Sequence, residues 1–140
     1  MSTEPEEPIA PVVPYLMVHD AKAAIAFYEA AFAASADIWP APDGRVAHAA
    51  INTNGGMFYL SDEFPDQAQA RSPKTLGGTS CSTVLQVDDA DLWWNRAIAA
   101  GAEVTHPLAN EFYGRYGQLK DPFGHLWGIL GPVTGSDTYQ

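Results

Sequence analysis

Leu16-Met17-Val18-His19-Asp20-Ala21 and, 69 positions downstream, Leu85-Gln86-Val87-Asp88-Asp89-Ala90 are the stretches on which the reading of this chain turns. Each is a β-rich run that ends in an aspartate and then alanine. The same offset carries Gly55 onto Gly124, Phe58 onto Trp127 and Leu60 onto Ile129. An offset that holds at both ends of a unit predicts an internal duplication rather than two chance motifs.

Local signals give each copy the order strand, helix, three strands. Val12–Val18 is a strand, and Asp20 supplies the oxygen that N-caps a following helix. Ala21, Ala24, Ile25, Tyr28 and Phe32 recur at three- and four-residue spacing, a core-facing stripe. A strand over Ala36–Pro40, the turn Pro42-Asp43-Gly44, and a hairpin of Arg45–Asn52 and Met57–Ser61 about Asn54-Gly55-Gly56 complete unit one. In the second unit Cys81–Val87 is a strand, Asp89 caps a helix containing Leu92, Trp93, Ala97 and Ala100, and Gly101 ends it. Glu103–Pro107, Tyr113–Lys120 and His125–Leu130 follow, the last two joined by Asp121-Pro122-Phe123-Gly124. The expected organisation is a flexible acidic arm over 1–11, one domain over 12–130 and a tail over 131–140. Within the domain, unit one spans 12–61 and unit two 81–130; the loop 62–80 between them is a candidate lid or a passive linker.

Composition limits what such a domain does. The 140 residues suit one compact unit, and 46% hydrophobic residues suffice for a core. Seven Lys and Arg against seventeen Asp and Glu leave a formal charge of −10, which argues against nucleic acid and anionic membranes as partners. No apolar run is long enough to span a bilayer, and the start lacks the pattern of a signal peptide. A single cysteine, Cys81, suits a reducing compartment, so a cytoplasmic location is expected. The acids gather in Glu4–Glu7, Asp62–Asp66, caps and turns, a solubilising coat rather than a metal cluster.

Several motifs in this order resemble the vicinal oxygen chelate superfamily of glyoxalases, bleomycin and fosfomycin resistance proteins and extradiol dioxygenases, and within it the PhnB-like proteins. They are Pro14-Tyr15-Leu16-Met17-Val18, Ala24-Ile25-Ala26-Phe27-Tyr28, Asp43-Gly44-Arg45-Val46-Ala47-His48-Ala49, Ser72-Pro73-Lys74-Thr75-Leu76-Gly77-Gly78, Tyr113-Gly114-Arg115-Tyr116-Gly117 and Asp121-Pro122-Phe123-Gly124-His125-Leu126-Trp127. The resemblance implies an α+β fold in which two tandem βαβββ units form a curved, barrel-like mixed sheet around a cavity, completed in many members by a homodimer. It also implies four inward ligands to a divalent metal acting as a Lewis acid.

Strand alternation sorts the side chains. Leu16, Val18, Leu85, Val87, Phe58, Leu60, Trp127 and Ile129 are expected beneath the helices, Tyr15, Met17, Ser82, Val84 and Gln86 inward. The family's ligand positions fall at Val13, Tyr59, Ser82 and Gly128, where this chain offers no ordinary set of metal donors, so no metal and no cofactor are expected. His48 should point into the cavity and contact a ligand; His19, His106 and His125 have no partner spacing. Cys81 is expected beneath a helix as an inert thiol, and no serine has a visible base, so no catalytic residue is assigned. Trp93 and Trp94 are adjacent, so only one is expected to face the core. What remains is a binding surface of Tyr15, Met17, His48, Tyr59, Ser82, Gln86, Tyr113 and Arg115 for a small aromatic or amphipathic molecule, with Arg115 meeting an anionic group. The alternatives are a metal-dependent glyoxalase-type lyase or dioxygenase with shifted ligands such as His48 with Tyr59, and a non-catalytic dimeric interaction module.

Overall fold

A computed structural model describes residues 12–135, so the acidic arm and the end of the tail lie outside the described residues. The chain runs β1 (Tyr15–Val18), α1 (Ala21–Phe32), β2 (Ser35–Pro40), β3 (Val46–Thr53), β4 (Gly56–Asp62) and a short α2 (Pro73–Leu76). It continues β5 (Ser82–Gln86), α3 (Ala90–Ala100), β6 (Glu103–Glu111), β7 (Gly114–Lys120) and β8 (Leu126–Gly131). The duplication is visible in the ladders. One sheet has the order β1-β4-β3-β2 and the other β5-β8-β7-β6, each with one parallel pair. Tyr15 pairs with Tyr59 and, 69 residues on, Val84 pairs with Gly128.

Both helices start as their sequences predict. Asp20 accepts from Ala23 N and Asp89 from Leu92 N, each at 3.1 Å. Gly101 closes α3 in the left-handed conformation, φ 118°, that glycine adopts without Cβ strain. One core serves both units. Trp127 of β8 lies 4.9 Å from Phe32 and 5.1 Å from Phe58 between ring centroids, and Phe32 stacks on Trp93 of α3. The core faces of both sheets therefore meet the helix layer, and their other faces are left open.

At the centre of this core Asp121, 3% exposed, accepts from Phe123 N, His125 N, Trp127 Nε1 and the Tyr28 hydroxyl. Such saturation is what lets a buried carboxylate persist. Burial first, and then the Asp121 carboxylate, push the Tyr28 phenol well above its ordinary range. His125 Nε2 bonds Met17 O at 2.8 Å, tying the β7–β8 turn to unit one.

Four expectations need correction. Trp93 and Trp94 are both buried: about 100° apart on α3, one faces α1 while the other lies on the sheet over Gly117. Cys81 precedes β5 and is exposed, not beneath a helix. Asp62, read as the start of a solvated loop, ends β4 with its carboxylate buried, accepting from Ala21 N and Val46 N at 2.8 Å each. Finally, β6 passes through Pro107 to Glu111. It is an edge strand with register shifts between Val104 and Ala109, where a residue lacking N–H is tolerated.

The 62–80 segment is docked rather than loose. Glu63 accepts from Ser72 N and, at 3.0 Å, from Thr75 Oγ1, and the Ser72 and Thr75 hydrogen bonds hold its carboxyl below the usual range. Pro73 of α2 sits so close to Gly124 that a Cβ there would lie 2.6 Å from it.

Candidate functional site

The open face of the first sheet carries an aromatic cluster built by register. β2 and β3 set Trp39 beside His48, and β1 and β4 set Tyr15 beside Tyr59. The Tyr15 hydroxyl and His48 Nδ1 are hydrogen-bonded at 2.8 Å. The His48 ring lies 5.1 Å from Trp39, 5.4 Å from Tyr15 and 4.7 Å from Tyr59, between centroids. With the proton on Nε2, Tyr15 donates to Nδ1 and His48 offers an N–H outward; imidazolium reverses the first bond. Trp39 and Tyr15 stay 53% and 43% exposed, although each is flanked by other rings. A patch of exposed aromatics with an oriented polar atom is suited to stack on a planar molecule and hydrogen-bond its edge.

Met17 lies next along β1, with Ser61 Oγ 3.2 Å from its sulfur. Tyr15, Met17, His48 and Tyr59 are thus brought onto one surface. Ser82 and Gln86 are exposed on β5, in the second sheet. The Gln86 carbonyl accepts from Asn54 Nδ2 at 2.6 Å, a stitch between the units. Tyr113 is in the β6–β7 turn, half exposed, with its ring 5.9 Å from Tyr116. Arg115 is elsewhere: its guanidinium bonds both carboxylate oxygens of Asp91 in α3, at 2.9 and 3.0 Å, and Asn110 Oδ1 at 3.1 Å. It faces the helix and is already paired with an anion of its own chain.

Two residues of these open faces escaped the sequence reading. Trp39 is placed by the β2–β3 register, since a residue paired with His48 shares its face. Tyr116 shares a face with Gly128, and their approach is close. A Cβ on Gly128 would stand 2.9 Å from Tyr116 Cε2 and 3.1 Å from its hydroxyl.

That contact bears on a metal. Of the four positions inferred for ligands, Val13 and Gly128 carry no donor atom, and Tyr116 fills the space a side chain at Gly128 would need. Ser82 and Tyr59 are poor partners for the common divalent ions. Among the described residues no three His, Cys, Asp or Glu side chains gather as a donor set. These residues do not fit the metal centre that the resemblance implies. Among the described residues, too, no helix is long and apolar enough to cross a membrane.

Comparison with known proteins agrees with this architecture. Residues 9–129 match the family described as Glyoxalase/Bleomycin resistance protein/Dioxygenase superfamily. The uncharacterized protein Rv0887c of Mycobacterium tuberculosis is 43% identical over 124 residues, covering 86% of this chain and 73% of that one. Among solved structures, protein PA1353 from Pseudomonas aeruginosa aligns with a TM-score of 0.70 at 23% identity, over 90% of this chain and all of that one. The PhnB protein from Bacillus cereus aligns with a TM-score of 0.65 at 20% identity, over 86% and 98% of the two chains. At those identities the two structures are evidence of shared fold.

Proposed function

Because this chain belongs to the glyoxalase/bleomycin resistance protein/dioxygenase superfamily, we propose that it binds a small aromatic or amphipathic molecule on the open face of its sheets, without the superfamily's metal. The observation that carries this reading is the Trp39, Tyr15, Tyr59 and His48 cluster. Four rings face solvent on the side of the sheet away from the core, and His48 is oriented by the Tyr15 hydroxyl. Stacking supplies affinity and His48 supplies direction. Tyr15, Met17, His48 and Tyr59 form the first wall; Ser82, Gln86 and Tyr113 belong to the second sheet's surface.

The reading includes a homodimer. In a single chain the two open faces point away from a shared core, and Tyr15, Trp39, Val84 and Tyr113 stay largely exposed. A second copy that lays its second sheet against the first sheet of its partner closes a cavity from both. The reading also keeps the protein in the cytoplasm, where exposed Cys81 remains a thiol.

The test is a thermal-shift and fluorescence titration with planar aromatics such as 1-naphthol and acridine. A ligand at 100 times its Kd adds about 2.7 kcal/mol to native stability. Trp39 is the exposed tryptophan, Trp93, Trp94 and Trp127 being buried, so its emission reports on this face. A raised Tm that disappears in the His48→Phe, Tyr59→Phe double variant is expected. Unchanged binding by that variant removes both residues from the site, and stoichiometric zinc, nickel or iron in the purified protein overturns the metal-free half of the reading.

A further inference from the structure

The segment that the sequence suggested as a lid walls a second cleft, away from the aromatic face. This cleft, of about 500 Å3, lies between α2 and the β7–β8 turn. Its sides carry Lys74, Lys120 and His19, and Pro73, Pro122 and Phe123 supply its apolar surface. We propose that it binds a small organic anion, a carboxylate or phosphate ester whose charged group meets Lys74 and Lys120 and whose apolar part rests on Phe123 and the prolines.

The charge distribution is the first support. In a chain of −10, cationic side chains are few, and most are already engaged. Arg45 is paired with Asp43, Arg115 with Asp91, Arg71 donates to main-chain carbonyls of its own loop, and Arg96 to Ala31 O. Lys74 makes no ion pair among the described residues. Lys120 has Glu103, which also lines the cleft, but at 3.7 Å with both side chains well exposed, a contact of little worth that an anion can displace. Two ammonium groups and an imidazole thus border one concavity, alongside the Glu103 carboxylate and that of Asp121, whose oxygens already accept from four protein donors.

Rigidity is the second support. Asp121 takes hydrogen bonds from Phe123 N and His125 N and so holds the turn. Pro73 rests on Gly124, and Glu63 anchors the start of α2 through Ser72 and Thr75. His19 lies 5.4 Å from the Phe123 ring. The cleft is built before any ligand arrives, so binding requires little ordering. Its volume is within the range of small-molecule sites.

Phenyl phosphate, inorganic phosphate and phenol are the probes, each titrated into 15N-labelled protein. The expected result is saturable movement of the Gly77, Gly78, Phe123 and Gly124 amide signals with phenyl phosphate, and weaker binding of the other two. Lys74→Met and Lys120→Met, both surface changes, should each weaken phenyl phosphate about tenfold, equivalent to about 1.4 kcal/mol. The His48→Phe, Tyr59→Phe double variant should leave it unchanged, so this site stands or falls apart from the aromatic face. Binding that survives loss of both lysines, equal binding of inorganic phosphate, or no saturable shift at these four amides overturns the proposal.

Discussion

Asp62→Asn separates a carboxylate that works through both oxygens from one that works through a single oxygen. In the native chain Asp62 Oδ1 accepts from Ala21 N, the first residue of α1, and Oδ2 from Val46 N, the first residue of β3, each at 2.8 Å. Ala21 and Val46 are 0% and 2% exposed, so water has little access to either N–H. Asparagine is nearly isosteric but has one acceptor and one amide donor. Whichever way it turns, its NH2 faces a backbone N–H. The loss is one charge-assisted hydrogen bond and a second weakened by neutralisation, with a backbone N–H and the new amide NH2 left facing each other unpaired, together about 3 kcal/mol. For a domain of this size about 4 °C of Tm accompanies each kcal/mol, so a fall of roughly 12 °C is expected. Asp20 is the control. It caps the same helix through Oδ1 alone, accepting from Ala23 N at an exposed position, and Asn caps as well as Asp. Asp20→Asn should therefore cost under about 0.5 kcal/mol. Urea unfolding followed by circular dichroism measures both, with unchanged m values confirming that the same transition is compared. Asp62→Asn within about 0.5 kcal/mol of the parent, or Asp20→Asn as costly as Asp62→Asn, would refute the reasoning.

Two further outcomes follow from the core. Tyr28 has a folded-state pKa raised above its unfolded value near 10, so the native state holds the proton more tightly. Its contribution is complete below about pH 10 and is lost as pH rises above it, by up to about 1.4 kcal/mol per pH unit; Tyr28→Phe should flatten the alkaline limb of stability against pH. A Cβ at Gly117 would stand 2.5 Å from Trp94 Cζ3 and 2.9 Å from the Leu108 Cα, one contact being main chain. Gly117→Ala is expected to destabilise by about 2 kcal/mol, read as a lower urea midpoint, and a neutral result would mean that α3 shifts freely on the second sheet.

How much of this was legible beforehand depended on the range of the interaction concerned. The caps at Asp20 and Asp89 act within a few residues, and the burial of Phe58, Leu60, Trp127 and Ile129 follows from strand alternation; both were readable from spacing. The pairing of Arg115 was not legible because Asp91, its partner, lies on another element and precedes it by 24 residues. Asp62 looked like loop because nothing nearby in sequence marks Ala21 N and Val46 N as donors needing an acceptor. That Tyr15, Met17, His48 and Tyr59 share one face followed from alternation along three strands, β1, β3 and β4, whereas Trp39 joined them only through the β2–β3 register, with a shift between Trp39 and Pro40.

By itself, then, the sequence determined the duplicated βαβββ plan, its helix caps and the side of each strand that enters the core, because period and offset are properties of local chain geometry. Tertiary structure decided which polar groups were already paired. It placed Tyr116 in the space beside Gly128, satisfied Arg115 with Asp91, and docked the 62–80 segment through Glu63 and Pro73. Those outcomes depend on distances between segments far apart in the chain, and no residue pattern specifies such distances until the core has packed.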